Sequence, residues 1–498
     1  MEMIIIFIWL TTILALLFLQ RLLLKQTATK INLPPSPWRL PIIGNLHQLS
    51  LHPHRSLRSL SFRYGPLMLL HFGRVPVLVV SSSEVAHDLL KTHDLKVANR
   101  PQLKVIEIFL NGGRDMVFSP YGEYWRHIKS ACVIHLLSKK MVQSFEYVRE
   151  EEISEMMETV EKASSSSTPF NLSELLIALM SDVTSRASLG RKHSKEESMS
   201  DFKNQLRTIL DLAGGFPVGE YIPCLAWTDK IRGLDHKVKQ VSEKFAGLMD
   251  KVVQEHVDHG DKPTHDLVDI MLSLERQNTN GIELRRSDIK FIILDMFLGG
   301  TATTYALLEW IMTELIRHQE CMKKLQEEIR ANAKKPPNLY ISEEDVKDMK
   351  YLKMVIKEVL RLHPPFPLLV PRLLTEDVKV KGCDIAAGTQ VITNAWAIQR
   401  DTMIWGRDAE EFRPERHLDS SLDFRGTSLE LVPFGYGRRM CPGIGFALAL
   451  VEVTLANLVN RFNWKMDVQF SGDEYDLAET TGLDVSRKNP LIVFPSLA

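Results

Sequence analysis

Residues Phe434 to Gly443 read Phe-Gly-Tyr-Gly-Arg-Arg-Met-Cys-Pro-Gly and run directly into an apolar helical segment, Ile444 to Phe462. One cysteine, Cys441, therefore stands just ahead of a helix N-terminus, behind glycines that allow tight turns and close approach to a flat partner. Exposed N–H groups and the helix dipole favour a negatively charged sulfur there. A thiolate presented in this way suits an iron ligand.

A second chemical feature lies in the longest helical candidate, Ser287 to His318, whose centre reads Gly299-Gly-Thr-Ala-Thr-Thr304. Paired glycines inside a helix cost about 1 kcal/mol each relative to alanine, so something must offset them. Small residues let a helix pass close over a flat ligand, and hydroxyls beside them can hold water or a small bound molecule. Glu358 and Arg361 are spaced i,i+3 on another helical segment that stops at Pro364-Pro365.

These groups must be positioned by a large fold. The chain has 498 residues, 45% of them hydrophobic, with no internal repeat, no charged block and no long Gly/Ser linker, which favours one large domain. A net charge of −1 gives no reason to expect nucleic acid. The five cysteines, at 132, 224, 321, 383 and 441, are odd in number and widely spaced, which argues against a disulfide framework and for a reducing compartment.

Met3 to Leu19 is apolar apart from Thr11 and Thr12; with Leu22 to Leu24 it is long enough for a bilayer core of roughly 30 Å. Arg21, Lys25 and Lys30 follow it and no cleavage site is apparent, so residues 1–24 read as a retained transmembrane signal anchor with the rest of the chain on the cytoplasmic side. The sequon Asn171-Leu-Ser173 should then stay unglycosylated. Residues 25–45 form a basic, proline-rich hinge in which Pro34, Pro35, Pro37 and Pro41 favour a stiff extended strap. Beyond it, Leu67 to Val80 reads as a hairpin and Ala163 to Pro169 as a flexible loop between helices. Leu212 to Pro217 breaks a region that could form a lid, and Val378 to Ile392 reads as a second small sheet turning at Gly382 and Gly388.

Phe434, Gly437, Arg439, Cys441 and Gly443 fill every fixed position of F-x-x-G-x-R-x-C-x-G, and by them the chain resembles the cytochrome P-450 monooxygenases. The resemblance implies a mainly α fold with small β-sheets, a single large haem domain over 46–498 behind the N-terminal transmembrane helix. It also implies haem b, iron protoporphyrin IX, with Cys441 as the axial thiolate. Thr303 matches the threonine that organises proton delivery, with Thr304 beside it. Phe434, Gly437 and Gly443 would border the haem, and its propionates would be held by Trp125, Arg126, Lys129, Arg372 and Arg439. Arg416, in Phe412-Arg-Pro-Glu-Arg-His417, would join Glu358 and Arg361 in a structural core network, with His417 standing where the family has an aromatic.

The chain departs from the family at Ala302, where an acid is expected. Alanine cannot relay a proton, so either the threonines and water carry that load or the reaction does not need O2. No G-x-G-x-x-G follows a predicted strand, so electrons must come from outside; the resemblance implies NADPH-cytochrome P-450 reductase, docking where Arg126, Lys129 and Arg438 supply positive potential. By analogy the pocket is lined from Pro101–Val117, Asp211–Trp227, Leu294–Thr304, Phe366–Val370 and Thr480–Leu483, mostly aliphatic and without an evident charge clamp, which suits a lipophilic substrate.

The strap, Trp125-Arg126, Glu358, Arg361 and the closing Gly482-Leu-Asp-Val-Ser-Arg-Lys488 together are similar to plant family 71, most of all its subfamily A. Three functions follow as expectations: monooxygenation of a specialised metabolite, a triterpenoid such as marneral among the options; dehydration of an aldoxime of the indole-3-acetaldoxime type to a nitrile; or haem binding without turnover. The expected setting is the endoplasmic reticulum membrane, single-pass, with the catalytic domain cytoplasmic.

Overall fold

The computed structural model describes residues 31–498 except 111, 113, 167, 193–207, 210, 211, 213, 216, 259–265, 278–283, 334–339, 419, 421, 425, 427 and 467–476. The expected transmembrane anchor at 1–24 lies outside the described residues, as do residues 211, 213 and 216 of the expected lid. Among the described residues helices dominate, and three small sheets flank them. The strands are β1 (Leu67–Phe72), β2 (Val75–Val80), β3 (Phe170–Asn171), β4 (Arg372–Leu373), β5 (Val378–Val380), β6 (Cys383–Ile385), β7 (Gln390–Thr393), β8 (Phe462–Met466) and β9 (Ile492–Leu497). The helices that bear on the site are α1 (Glu123–His135), α2 (Glu146–Ser166), α3 (Leu172–Leu189), α4 (Arg286–Arg317), α5 (Lys350–Leu362) and α6 (Ile444–Arg461).

The hairpin forms as expected, β1 pairing antiparallel with β2. The second sheet does not. Only β5 and β6 pair with each other; the turn at Gly388 delivers β7 to the first sheet instead, parallel to β2 and antiparallel to β4, in the order β1-β2-β7-β4. Both readings fit the same alternation of apolar residues, because strand pairing across 300 residues leaves no local mark.

The serine tract was expected to be a loop, but α2 continues through Ser166. The hydroxyls of Ser164 and Ser165 both donate to the Glu161 carbonyl, and Ser166 donates to Ala163, so these side chains fold back onto the helix. Asn171, of the sequon, has its side-chain oxygen capping the Glu174 N–H at 3.1 Å, and Ser173 is buried against Glu309.

Within 25–45, the described residues 31–45 are fastened to the first sheet rather than loose. Leu69 N–H donates to Pro35, Asn45 N–H to His71, and Gly73 N–H to Ile43. Helix α4 runs 32 residues through the core and is flanked by α3, α5 and α6. Among the described residues, α4 and α6 are the helices long and apolar enough to cross a membrane; here their apolar faces build the core, with Leu307, Trp310 and Ile311 meeting Leu448, Val451 and Leu455 in one cluster.

Candidate active site

The cysteine loop is closed by a hydrogen bond from Cys441 N–H to the Phe434 carbonyl, 2.9 Å. Phe434 packs inward on Phe424, with ring centroids 5.5 Å apart, which ties the loop to the core. Gly437 has φ +66°, and a Cβ there would come within 2.5 Å of Asp94 Oδ1, so both conformation and space call for glycine. At Gly443 a Cβ would rest 3.8 Å from Cys441 Sγ, ordinary contact distance, so crowding among protein atoms does not explain that glycine. Burial pushes the Cys441 thiol up, while the Gly443 N–H and the Lys129 ammonium pull it back. The helix-end effect read from sequence is therefore outweighed by desolvation, and a thiolate here needs a cation bound to it.

Cations surround this loop in excess. Arg439 is buried, donates to the carbonyls of Ala98 and Ser119 at 2.7 Å each, and lies over the indole of Trp125. Trp125, on α1, is held in turn by its Nε1 donating to Met116 at 2.9 Å. One turn along α1, the Lys129 ammonium is aimed into the cysteine loop, donating to the Arg438 carbonyl; burial first, then repulsion from Arg439, lowers its pKa to about 8. Arg372, on β4, donates through Nη2 to Tyr436, but its Nη1 is buried without a hydrogen bond, 3.7 Å from Asp94. Burial lowers Arg372 and Arg439 to about 10 each, with mutual repulsion adding to the effect on Arg439.

Sequence reasoning missed a fourth member, Arg100. It is 6% exposed, spends its donors on the carbonyls of Val117, Val370 and Pro371, and is depressed by burial and then by Arg372 and Arg439. No motif surrounds it in the chain, and its partners at 370 and 371 are 270 residues away, so nothing local could have flagged it. Arg126, in contrast, is exposed and stands outside the cluster. The helix that turns Trp125 and Lys129 inward leaves the intervening Arg126 on the solvent side.

Four buried or half-buried cations that repel one another, one with an orphaned N–H, need an anion larger than the nearby Asp94 and Asp115 provide. A macrocycle carrying two carboxylates and an iron atom for Cys441 meets both needs, so the residues fit haem.

Across α4, the two glycines serve different ends. A Cβ on Gly299 would meet nothing within 4 Å, while one on Gly300 would lie 3.2 Å from Thr184 Oγ1 of α3. Gly299 is thus the one that leaves open space, and Gly300 admits a neighbouring helix. Ala302 and Thr303 are half-exposed beside Gly299, and Thr303 Oγ1 donates to the Gly299 carbonyl at 2.6 Å. Thr304 is buried, 2% exposed, with no hydrogen-bond partner for its hydroxyl.

The pocket segments, expected to be mostly aliphatic with few charges, contain two carboxyls that are spent on backbone N–H groups. Asp295 accepts from the N–H groups of Met116 and Val117 and is raised well above the usual carboxylate range by burial and by Asp115. Asp115, raised by burial, accepts from the N–H groups of Phe118 and Ser119. Asp295 thereby pins α4 to the loop whose carbonyls hold Trp125 and Arg439.

The structural network is assembled around Glu358. Arg361 meets it with two 2.8 Å bonds, Arg416 with one at 2.8 Å, and His417 Nε2 lies 2.9 Å from its second oxygen. Arg361 also donates to the carbonyls of Gln399 and Ala409. Burial alone would raise Glu358, but the hydrogen bonds and charges of Arg361 and His417 prevail and hold it at about 2. His417, read from sequence only as a replaced aromatic, is a working member of this network.

The sequence profile named Cytochrome P450 matches residues 34–485. Among curated proteins, Cytochrome P450 71A14 of Arabidopsis thaliana is 78% identical over 498 residues, all of both chains, and Cytochrome P450 71A15 of the same plant is 75% identical over the same span. Arabidopsis thaliana indoleacetaldoxime dehydratase is 64% identical over 497 residues, covering 100% of this chain and 99% of that one. Among solved structures, a zebrafish cytochrome P450 with progesterone superimposes with a TM-score of 0.76 at 22% identity, over 90% of this chain and 100% of that one, which speaks to the fold alone.

Proposed function

Because the chain belongs to the cytochrome P450 family, within plant family 71 subfamily A, we propose that it is a monooxygenase of a lipophilic plant metabolite with Cys441 as its iron ligand. Enzyme class and cofactor follow from the family: an oxidoreductase that carries haem. The observation that carries the residue assignment is the buried surplus of positive charge around the cysteine loop.

Bound haem supplies an iron centre that activates O2, with the thiolate donating electron density. The chain supplies the rest. Arg100, Lys129, Arg372 and Arg439, with Trp125 bracing Arg439, neutralise the two propionates. Gly299 and Ala302 leave open space along α4 where the group would lie, and Thr303 keeps beside them a hydroxyl, donated to the Gly299 carbonyl, that could be turned to move a proton. Aliphatic side chains along Leu294–Thr304 and Phe366–Val370 exclude water and favour a lipophilic substrate. Electrons come from NADPH-cytochrome P-450 reductase. Lys129 is committed inward and Arg438, though exposed, is paired with Asp94 at 3.2 Å, so exposed Arg126 is the principal cation to receive it, with Arg438 beside it. Residues 1–24 anchor the domain in the endoplasmic reticulum membrane, single-pass, with the domain in the cytoplasm.

A second reading is dehydration of an aldoxime to a nitrile. It is supported by Ala302, which gives up the family's proton-relaying acid, and by the relative named indoleacetaldoxime dehydratase. Microsomes containing the chain, the reductase and NADPH, offered lipophilic metabolites including marneral and indole-3-acetaldoxime under labelled O2, separate the two. Label in the product supports the monooxygenase, and nitrile without label supports the dehydratase. Turnover of neither across a broad panel overturns both in favour of a haem protein that only binds.

A further inference from the structure

Asp94 brings a carboxylate against the cysteine loop from a distant part of the chain. Its Oδ1 is 2.5 Å from where a Cβ on Gly437 would be, so the space that this glycine leaves is filled by an anion. Oδ1 accepts from the Arg438 N–H at 3.4 Å, and Oδ2 lies 3.2 Å from Arg438 Nε. On the inner side, Arg372 Nη1 is 3.7 Å from Oδ1. That separation suits an ion pair but is too long for a hydrogen bond, and Nη1 is accordingly buried with no hydrogen-bond partner among the described residues. The Asp94 side chain is 21% exposed, so solvent and salt screen it only in part. The same segment runs on to the Ala98 carbonyl that holds Arg439, and to Arg100.

Arg372 therefore answers to two anions. Its Nη2 is spent on the Tyr436 carbonyl, so Nη1 is the donor left for a haem propionate, while Asp94 acts on the same guanidinium through charge alone. Burial draws the Arg372 pKa down, and the Asp94 carboxylate opposes that. We infer that Asp94 is a positioning residue of the haem site, which shares Arg372 with a propionate and by its own negative charge keeps the reduction potential of the bound haem low. Uptake of one electron turns ferric iron to ferrous and adds one negative charge to the site, which a neighbouring carboxylate opposes and a neighbouring cation favours. Arg438 tempers Asp94 from the outer side, because its guanidinium is paired with the same carboxylate. The placement of Asp94 stands on protein atoms alone, while its effect on the potential rests on the haem reading given above.

The test uses the full haem-loaded chain and three variants, Asp94→Asn, Asp94→Glu and Arg438→Gln, each titrated with dithionite against a redox dye and followed in the Soret region. Asp94→Asn keeps the shape and removes the charge. At a fixed dye potential its ratio of ferrous to ferric haem should stand about threefold or more above that of the unmodified chain, and Asp94→Glu should restore the original ratio. Arg438→Gln, which strips the carboxylate of its outer partner, should lower the ratio, the opposite sign. The rise in Asp94→Asn should survive about 1 M salt, where the Debye length is only about 3 Å. An unchanged ratio in Asp94→Asn, even with a lower thermal midpoint, means that Asp94 only holds the loop, and overturns the inference. A rise that salt abolishes overturns the route through Arg372. If Asp94→Asn does not load haem, the sign in Arg438→Gln decides: a lower ratio supports the inference, and a level or higher one overturns it. Failure of the haem reading looks different, and overturns both: the unmodified chain itself would show no red-shifted Soret band when reduced under carbon monoxide.

Discussion

The guanidinium of Arg439 lies 4.1 Å from the centroid of the Trp125 indole, while its Nε and Nη2 reach the carbonyls of Ala98 and Ser119. One side chain thus joins the cysteine loop, α1 and the 115–119 segment. A lysine can reproduce the charge but not the planar fork or the stacking. Arg439→Lys is expected to express as folded protein with severalfold lower haem content, measured by the carbon monoxide difference spectrum against total protein.

Cys441→Ala should abolish the red-shifted Soret band of the reduced, carbon monoxide-bound protein. An unchanged band in that variant would remove the thiolate assignment altogether.

Arg126 and Lys129 share a helix but not a role, so their variants should part company. Arg126→Glu should keep its haem and slow reduction by the reductase by about tenfold or more at low ionic strength, with the deficit shrinking as salt rises. Lys129→Glu should lose haem instead, because it would place a carboxylate against the carbonyls of the cysteine loop. Stopped-flow reduction and haem content, measured on both, decide the matter.

Thr303→Val removes the hydroxyl that rests on the Gly299 carbonyl. Peroxide release per NADPH is expected to rise about tenfold or more, since a positioned proton donor is worth roughly a hundredfold or more in rate. Haem content should not change.

Glu358 makes folding pH-dependent in a defined direction. Its folded pKa, about 2, lies below the ordinary 4.5, so its contribution is fully present above about pH 5 and is lost as the pH falls toward 2. The depression corresponds to about 3 kcal/mol. Glu358→Gln, which leaves Arg361 and Arg416 buried without their counter-charge, should cost about 3–5 kcal/mol. His417→Phe, which restores an aromatic but removes the bond to Glu358, should cost about 1–2 kcal/mol. Denaturant titrations at pH 7 and pH 4 read both effects.

Elements whose cause is local were readable in the chain. The cysteine loop, the long helix through Gly299 and the helix ending before Pro364 each carry their own pattern of glycine, proline or apolar spacing. Residues whose role is set by a distant neighbour were not. Arg100 owes its place to carbonyls at 370 and 371, and Asp295 to amides at 116 and 117. The partner of β7 is a strand at the other end of the chain, Val77–Val80 in β2, and the duties of Gly299 and Gly300 differ only because Thr184 arrives from another helix. His417 was visible, but its meaning depended on a carboxylate 59 residues away.

The strap over residues 31–45 occupies the free edge of the first sheet. In the order β1-β2-β7-β4, β1 is terminal, and its amides at Leu69 and His71 are taken by Pro35 and by the Asn45 side chain, with Gly73 just beyond the strand taken by Ile43. An apolar strand, Leu67-Met-Leu-Leu70, is thereby closed to pairing with another chain by a segment whose prolines cannot extend a ladder themselves. The segment ahead of the first strand is also the domain's guard against edge-to-edge aggregation. A truncation beginning at residue 31 keeps that guard, whereas one beginning at residue 46 removes it and leaves a sticky edge on an otherwise intact fold.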